Sequence, residues 1–303
     1  MKSKTKKALA VILSLALVLT GILPVFADSA DTYVALGADL SADQRASVLS
    51  SLELTEADME SVDTVTITNQ MEYDYLGSYL PASVIGTRAL SCVRVDKKKS
   101  GGINVRTVNI TYCTEGMYQN ALITAGVENA DVIVAGPFNI SGTAGLVGAM
   151  QAYQGITGNV IEVSNADAAV DELVTTGDLA QSVGNEDAEN LVAIVKQEVI
   201  ENNDATDDEI LKMIEDAASE LGITLTDSEK QAILGLMKKI KGLNIDPDKL
   251  KSQAKNIYDR IQGLDIDFSK LGIDFEGIDK KSLFSAIEKF FDGIVNFFRG
   301  LFN

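Results

Sequence analysis

The 303-residue chain has no histidine and no tryptophan, and it has only two cysteines and four prolines. Without an imidazole, Ser-His-Asp and Cys-His catalysis and histidine metal ligation are all excluded. Carboxylates, hydroxyls, lysine and two thiols are the remaining catalytic groups. The missing tryptophan removes the most common sugar-stacking platform. Basic residues are scarce: 26 Lys and Arg stand against 44 Asp and Glu, for a formal charge of −18. From Thr107 to Val195 there is no Lys or Arg at all, while eleven Asp and Glu fall in that span. A polyanion would meet a repulsive field over such a surface, so no nucleic acid partner and no nucleotide is expected.

What is present begins with "MKSKTKKALAVILSLALVLTGILPVFA". Four lysines precede an apolar run from Ala8 to Leu19, and Val25 and Ala27 occupy the small-residue positions of a cleavage site. This pattern predicts a secretory signal peptide over residues 1–27. A span needs about 20 apolar residues, and here Thr20, Gly21 and Pro24 interrupt the run. No cysteine lies near the site to carry an acyl anchor. The mature chain would hold 22 basic and 44 acidic residues, a formal charge of −22, and is expected to be secreted and associated with the cell surface.

From Thr32 to about Gln154 short β-rich runs alternate with capped helical segments. "TYVALG", "DTVTIT" and "DVIVAG" read as strands, and Ser41 with Gln44 forms a capping box at the start of "SADQRASVLSSL". "SVIGTRALSCVRV" and "INVRTVNITYC" flank the charged, glycine-bearing "DKKKSGG" and read as two arms of a β-hairpin. From Ser164 the period becomes helical, with capping boxes at Thr206/Glu209 and Thr226/Glu229. The fold class expected is an α/β or α+β amino-terminal domain with a mixed sheet, followed by a mostly helical carboxy-terminal region. The divisions expected are 28–200 for the α/β domain with its closing helices, 201–278 for a helical region and 279–303 for an amphipathic helix.

Four groups of residues are candidates for chemistry. "VIVAGPFNISGTAGLVGAM" has the strand-glycine-helix form of a phosphate cradle, but its glycines at 142, 145 and 148 match neither standard fingerprint and no lysine follows. With Ser141 as N-cap, Gly142, Gly145, Ala149 and Ala152 make a small-residue stripe, which implies close approach of another backbone. A ligand at the turn of Asn139, Ser141 and Thr143 is the alternative, because strand-to-helix turns are where α/β sheets bind. Cys92 and Cys113 lie on opposite arms of the expected hairpin, which suggests one disulfide in an exported protein; reduced, buried thiols are the other reading. "EYDYLGSY", residues 72–79, is the densest tyrosine cluster and a candidate carbohydrate contact, although Tyr75, Leu76 and Tyr79 also follow helical packing. In "DIDFSKLGIDFE", Asp265, Asp267, Ser269 and Glu276 take positions 1, 3, 5 and 12 of a calcium loop, but Lys270 stands where the turn needs glycine. Aspartate N-caps with hydrophobic staples explain that repeat better. No metal and no cofactor is expected.

The last segment, "SLFSAIEKFFDGIVNFFRGLFN", carries Phe284, Phe290, Phe291, Phe297, Phe298 and Phe302 in one broad apolar stripe. From Lys280 onward four basic residues face two acidic ones, against the trend of the chain. Such a stripe docks on the preceding helices or meets a cell-envelope component or membrane interface.

"VALGADLS", "TITNQMEYDYLGSYLP", "NITYCTEGMYQNALITAGVENADVIVAGPFNISGTAGLVGAMQAYQ" and "ELVTTGDLAQSVGNEDAENLVAIVKQEV" together resemble the YpuA-like proteins, domain-of-unknown-function family 1002 of Gram-positive bacteria. The resemblance covers roughly residues 30–240. It implies an exported protein of the Gram-positive cell surface with no catalytic residues assigned. The expectation is a binding or structural role without catalysis. The alternative is a wall-polysaccharide hydrolase using a carboxylate pair.

Overall fold

The structure, a computed structural model, describes residues 31–243 and residue 245. Five strands form one mixed sheet: β1 (Thr32–Gly37), β2 (Asp63–Ile67), β3 (Cys92–Lys97), β4 (Ile103–Ile110) and β5 (Ala130–Ile140), in the spatial order β2-β1-β3-β5-β4. Strand β1 runs parallel to β2, β4 runs parallel to β5, and β3 is antiparallel to both its neighbours, β1 and β5. The helices are α1 (Ala42–Ser51), α2 (Asn69–Leu76), α3 (Ala82–Ile85), α4 (Glu115–Thr124), α5 (Thr143–Thr157), α6 (Val163–Val183), α7 (Asn185–Glu201), α8 (Asp207–Glu220) and α9 (Asp227–Lys241). A mixed sheet in the first half followed by helices is the fold class expected from the sequence.

The expected hairpin is not formed. β5 inserts between β3 and β4, pairing Val93 with Val134 on one side and Val105 with Val132 on the other. The physical reason is that β5 is apolar on both faces. Val132 and Val134 enter one hydrophobic cluster, and Ile133 and Ala135 enter another. A strand with two apolar faces takes an interior position, whereas β4, with exposed residues recurring along its length, takes the edge. The "DKKKSGG" loop spans the width of β5: Lys98 Nζ reaches Asp131 at 2.8 Å and Gly102 N donates to Asn129 Oδ1 at 2.9 Å.

Each face of the sheet is covered. Val48, Leu49 and Leu52, in and just after α1, close on Val34, Leu36, Ile133 and Ala135. On the opposite face α4 and α5 pack on the sheet, and a continuous apolar cluster extends from Val93 and Val134 through Leu173 and Val195 to Ile240. The polar stretch after α7 is a short turn with Ala205 buried, and the core continues across it. The outer edge of β4 is blocked by α4, since Thr107 N donates to Glu115 Oε1 at 3.2 Å and Gln119 Nε2 donates to the Ile103 carbonyl at 2.7 Å. Such side chains keep an edge strand from pairing with other chains. All three expected capping boxes are present.

Helix α5 starts one residue later than expected. Gly142, with φ of 89°, is its N-cap, and Ser141 is not. The small-residue stripe does serve close packing, and Gly145 sets its limit: a methyl group there would lie 2.6 Å from both Val134 Cγ1 and the Tyr118 hydroxyl. Gly145→Ala is therefore expected to lose about 1–2 kcal/mol, overpacking outweighing the gain in helix propensity. Gly235 of α9 is exposed, and a methyl group added there would meet nothing within 4 Å, so Gly235→Ala should gain about 0.5–1 kcal/mol. Urea unfolding of the two variants checks both signs.

Candidate functional site

Strands β1, β2, β4 and β5 all point the same way, so their carboxy-terminal ends share one edge of the sheet with the start of β3. Open α/β sheets bind ligands at that edge. A side chain on Gly37, the last residue of β1, would collide with the Ala89 carbonyl. The close approach lets Asp39 N donate to Ala89 O at 3.1 Å while Ala89 N donates to Asp39 Oδ2 at 2.8 Å. This clamp holds Asp39 at the edge, exposed.

Beside it, Thr68, the residue after β2, caps α2 through a 3.2 Å bond from Met71 N to its hydroxyl. One turn into α2 lies Glu72, which is only 1% exposed. Asn69 Nδ2 donates to Glu72 Oε2 at 3.0 Å and to the Gly86 carbonyl at 3.4 Å, and the Tyr73 hydroxyl donates to the same carbonyl at 3.1 Å. Burial pushes the Glu72 carboxyl up to about 7; the Asn69 bond opposes the rise and the charge of Asp39 adds to it. The site therefore pairs a carboxyl that is substantially protonated at neutral pH with an exposed carboxylate, an arrangement able to donate a proton or to accept a cation.

A second buried carboxyl lies in the helical layer. Glu172 of α6 and Lys196 of α7 are both 0% exposed and form an ion pair of 2.7 Å. Lys196 Nζ also donates to the Asn120 carbonyl at 3.0 Å and to Thr124 Oγ1 at 3.2 Å, and the Thr124 hydroxyl donates to the other Glu172 oxygen. Burial raises the Glu172 carboxyl above its ordinary value, and the attraction of Lys196 opposes that. Every donor and acceptor in this group is used internally, which marks it as a structural tie between α4, α6 and α7.

The residues singled out from the sequence are dispersed. Cys92 and Cys113 are free, buried thiols in different hydrophobic clusters, on opposite faces of the sheet. The facing register that suggested a disulfide is absent because Cys92 pairs with Ala135 of β5. Burial pushes the Cys92 thiol up to about 11 and the Cys113 thiol up to about 12, so neither is a nucleophile at neutral pH. Asn139 is exposed and Ser141 half-buried, while Thr143 is buried as the first residue of α5. Residues 136–139 form a bulge opposite Asn109, whose φ is 58° and whose Nδ2 donates to Gly136 O at 3.0 Å. At the turn, the Tyr118 hydroxyl donates to the Gly142 carbonyl, and the carbonyl of Ser141 accepts from Cys113 N at 3.1 Å. Protein groups occupy these polar atoms of the turn.

The tyrosines are also engaged. Tyr75 accepts from Gln151 Nε2 at 3.1 Å, and Tyr79 bonds Asp167 while Lys239 sits 4.9 Å above its ring. Lys239 also reaches Asp171 at 2.7 Å, so this cluster latches α9 to α6. The calcium-like Asp265, Asp267, Ser269 and Glu276, and the phenylalanines from Phe284 to Phe302, lie outside the described residues. Sequence reasoning missed Glu72, Glu172 and Lys196. For the last two a signal existed: each falls at helical spacing among apolar residues, as Lys196 does between Val192 and Val199.

Fold and site together define a mixed α/β protein with a helical extension and a carboxyl pair at its sheet edge. The chain matches the family described as "Protein of unknown function (DUF1002)" over residues 36–257, and it belongs to that family. It is 40% identical over 233 residues to the "Uncharacterized protein YpuA" of Bacillus subtilis (strain 168), covering 76% of this chain and 79% of that protein. No solved structure matches it.

Three outcomes test the geometry. A carboxyl with a raised folded value binds its proton more tightly when folded. The contribution of Glu72 to stability is therefore complete below about 4.5 and is lost as pH rises through about 7. Glu72→Gln, which stays neutral, should match the parent below that window and exceed it above by on the order of 2 kcal/mol in urea unfolding. Lys196→Met leaves Glu172 buried without its partner and should cost about 3–5 kcal/mol, with the Glu172→Gln/Lys196→Met pair losing less. The thiols should resist alkylation in the native protein, and both should react in unfolded, unreduced protein, as intact mass would report.

Proposed function

We propose that this is an exported protein of the Gram-positive cell envelope that acts by binding and not by catalysis. The observation that carries the reading is the charged, apolar and small-residue pattern of residues 1–27, and the family membership is consistent with it. The high negative charge of the mature chain suits it for partners that carry positive charge. A second reading, a wall-polysaccharide hydrolase, is favoured by one observation: Glu72, whose carboxyl burial pushes up to about 7, is acted on by a second carboxyl, that of Asp39. Peptidoglycan digestion separates the two, because new reducing ends that vanish in Glu72→Gln and Asp39→Asn would establish the hydrolase and end the binding reading.

The same proposal gives the segment 282–303 the task of holding the protein at the membrane surface. No described helix is long and apolar enough to cross a membrane. Among the described residues the large apolar side chains left exposed are Val84 on α3, Phe138 on β5, Val160 in the connection from α5 to α6 and Val163 at the start of α6. These do not supply a face for the six phenylalanines of that stripe, which supports a seat outside the body. Fractionation of producing cells should place the mature protein, starting at Asp28, with the envelope. A form ending at Asp279 should lose binding to anionic liposomes in flotation while keeping its thermal unfolding profile. Retained flotation, or a large loss of stability, would overturn the membrane role.

A further inference from the structure

We propose that Glu72 and Asp39 form a binding position for a primary ammonium group, at the carboxy-terminal edge of β1 and β2. The argument starts from hydrogen bonding. Glu72 is buried, its Oε2 is held by Asn69, and no hydrogen bond to Oε1 is formed among the described residues. No fully buried side-chain oxygen or nitrogen in the described structure lacks a partner, so Oε1 is the part of this side chain that still reaches solvent. A carboxyl in that state keeps one acceptor that no protein group fills.

Electrostatics give the sign of the ligand. Both carboxyls are tied to the loop before β3, Glu72 through Asn69, which also donates to the Gly86 carbonyl, and Asp39 through Ala89 N; the charge of Asp39 acts on Glu72, and no cation is among the charges that do. On α2 itself Asp74 is exposed and takes its bond from Gln70, and Tyr73 is turned to Gly86. On the loop before β3, Arg88 is exposed and is not among the charges acting on Glu72. The contrast with Glu172 is direct, because that equally buried carboxyl has Lys196 at 2.7 Å. A buried carboxyl facing another carboxylate without a countercharge holds a proton or takes a cation.

The number of ligands selects the kind of cation. Calcium takes 6–8 oxygens and magnesium a full octahedron, whereas among the described residues no three acidic or thiol groups converge. An ammonium group has three donors and little demand on geometry. One donor meets Glu72 Oε1, one meets the Asp39 carboxylate and the third stays with water. Binding displaces the proton that Glu72 holds when the position is empty, so affinity rises as pH passes upward through the Glu72 titration. The proposal does not depend on where the protein is held in the cell.

The test uses the intact protein and the titration of the Glu72 carboxyl, followed by carbon NMR and assigned with Glu72→Gln. Methylammonium chloride is the probe, with tetramethylammonium chloride at equal ionic strength as a cation that has no donors, and calcium chloride as the metal arm. The expected result is a midpoint lowered by about half a unit or more by methylammonium, a roughly threefold competition with the proton. Tetramethylammonium should leave it in place, and Asp39→Asn should abolish the effect. An unchanged midpoint, an equal shift with tetramethylammonium, or a shift with calcium alone would each overturn the proposal. The comparison of probes is made on the parent protein, so it stands even where a variant fails to fold.

Discussion

The two-sided burial of β5 is the constraint from which the rest of the architecture follows. Val132 and Val134 point to one cluster and Ile133 and Ala135 to the other, so the strand needs cover on both faces and neighbours on both edges. Its neighbours are β3 and β4, which are consecutive in the chain and would otherwise pair with each other. Once β5 separates them, β4 becomes an edge, and Glu115 and Gln119 of α4 block that edge. Helix α5, leaving β5, must then lie flat on the sheet, which is why Gly145 sits against Val134 and Tyr118. The glycines that resemble a phosphate cradle are thus a packing consequence of the strand before them.

The same insertion separates the cysteines. With β5 beside β3, Cys92 lies under α1 near Val34 and Leu36, while Cys113 enters the cluster on the far face. Cys92 Sγ instead accepts from Gly37 N at 3.4 Å and donates to the Leu90 carbonyl at 3.7 Å. The thiol thus joins the end of β1 to the approach of β3, the place where the Asp39–Ala89 clamp forms. Packing at the edge and the position of the carboxyl pair are parts of one arrangement.

Local rules made much of this legible in the sequence. The capping boxes at Ser41, Thr206 and Thr226 and the apolar alternation of "TYVALG" and "DVIVAG" depend on neighbours a few residues away, and they formed as read. The hairpin failed because adjacency and a glycine turn are local signals, whereas the partner of β3 was decided by burial of a strand nearly forty residues further on. Glu72 was illegible for a related reason. In "NQMEYDYL" it is one polar residue among several, and it becomes buried in a fold that brings the loops before α1 and β3 beside α2. Lys196 was legible in principle, as a lone charge at apolar helical spacing.

Charge scarcity gives the two buried carboxyls their different roles. The stretch from Thr107 to Val195 has no basic residue, and the first one after it, Lys196, is turned fully inward to Glu172. That pair neutralises itself and ties three helices, with nothing left over for a ligand. Glu72 lies where the fold supplies an amide and a second carboxylate but no cation. In a chain with twice as many acidic as basic residues once residues 1–27 are set aside, an internal countercharge is the scarce component. A buried carboxyl that does not receive one keeps a proton, and the proton is the component most easily exchanged for a positive group from outside.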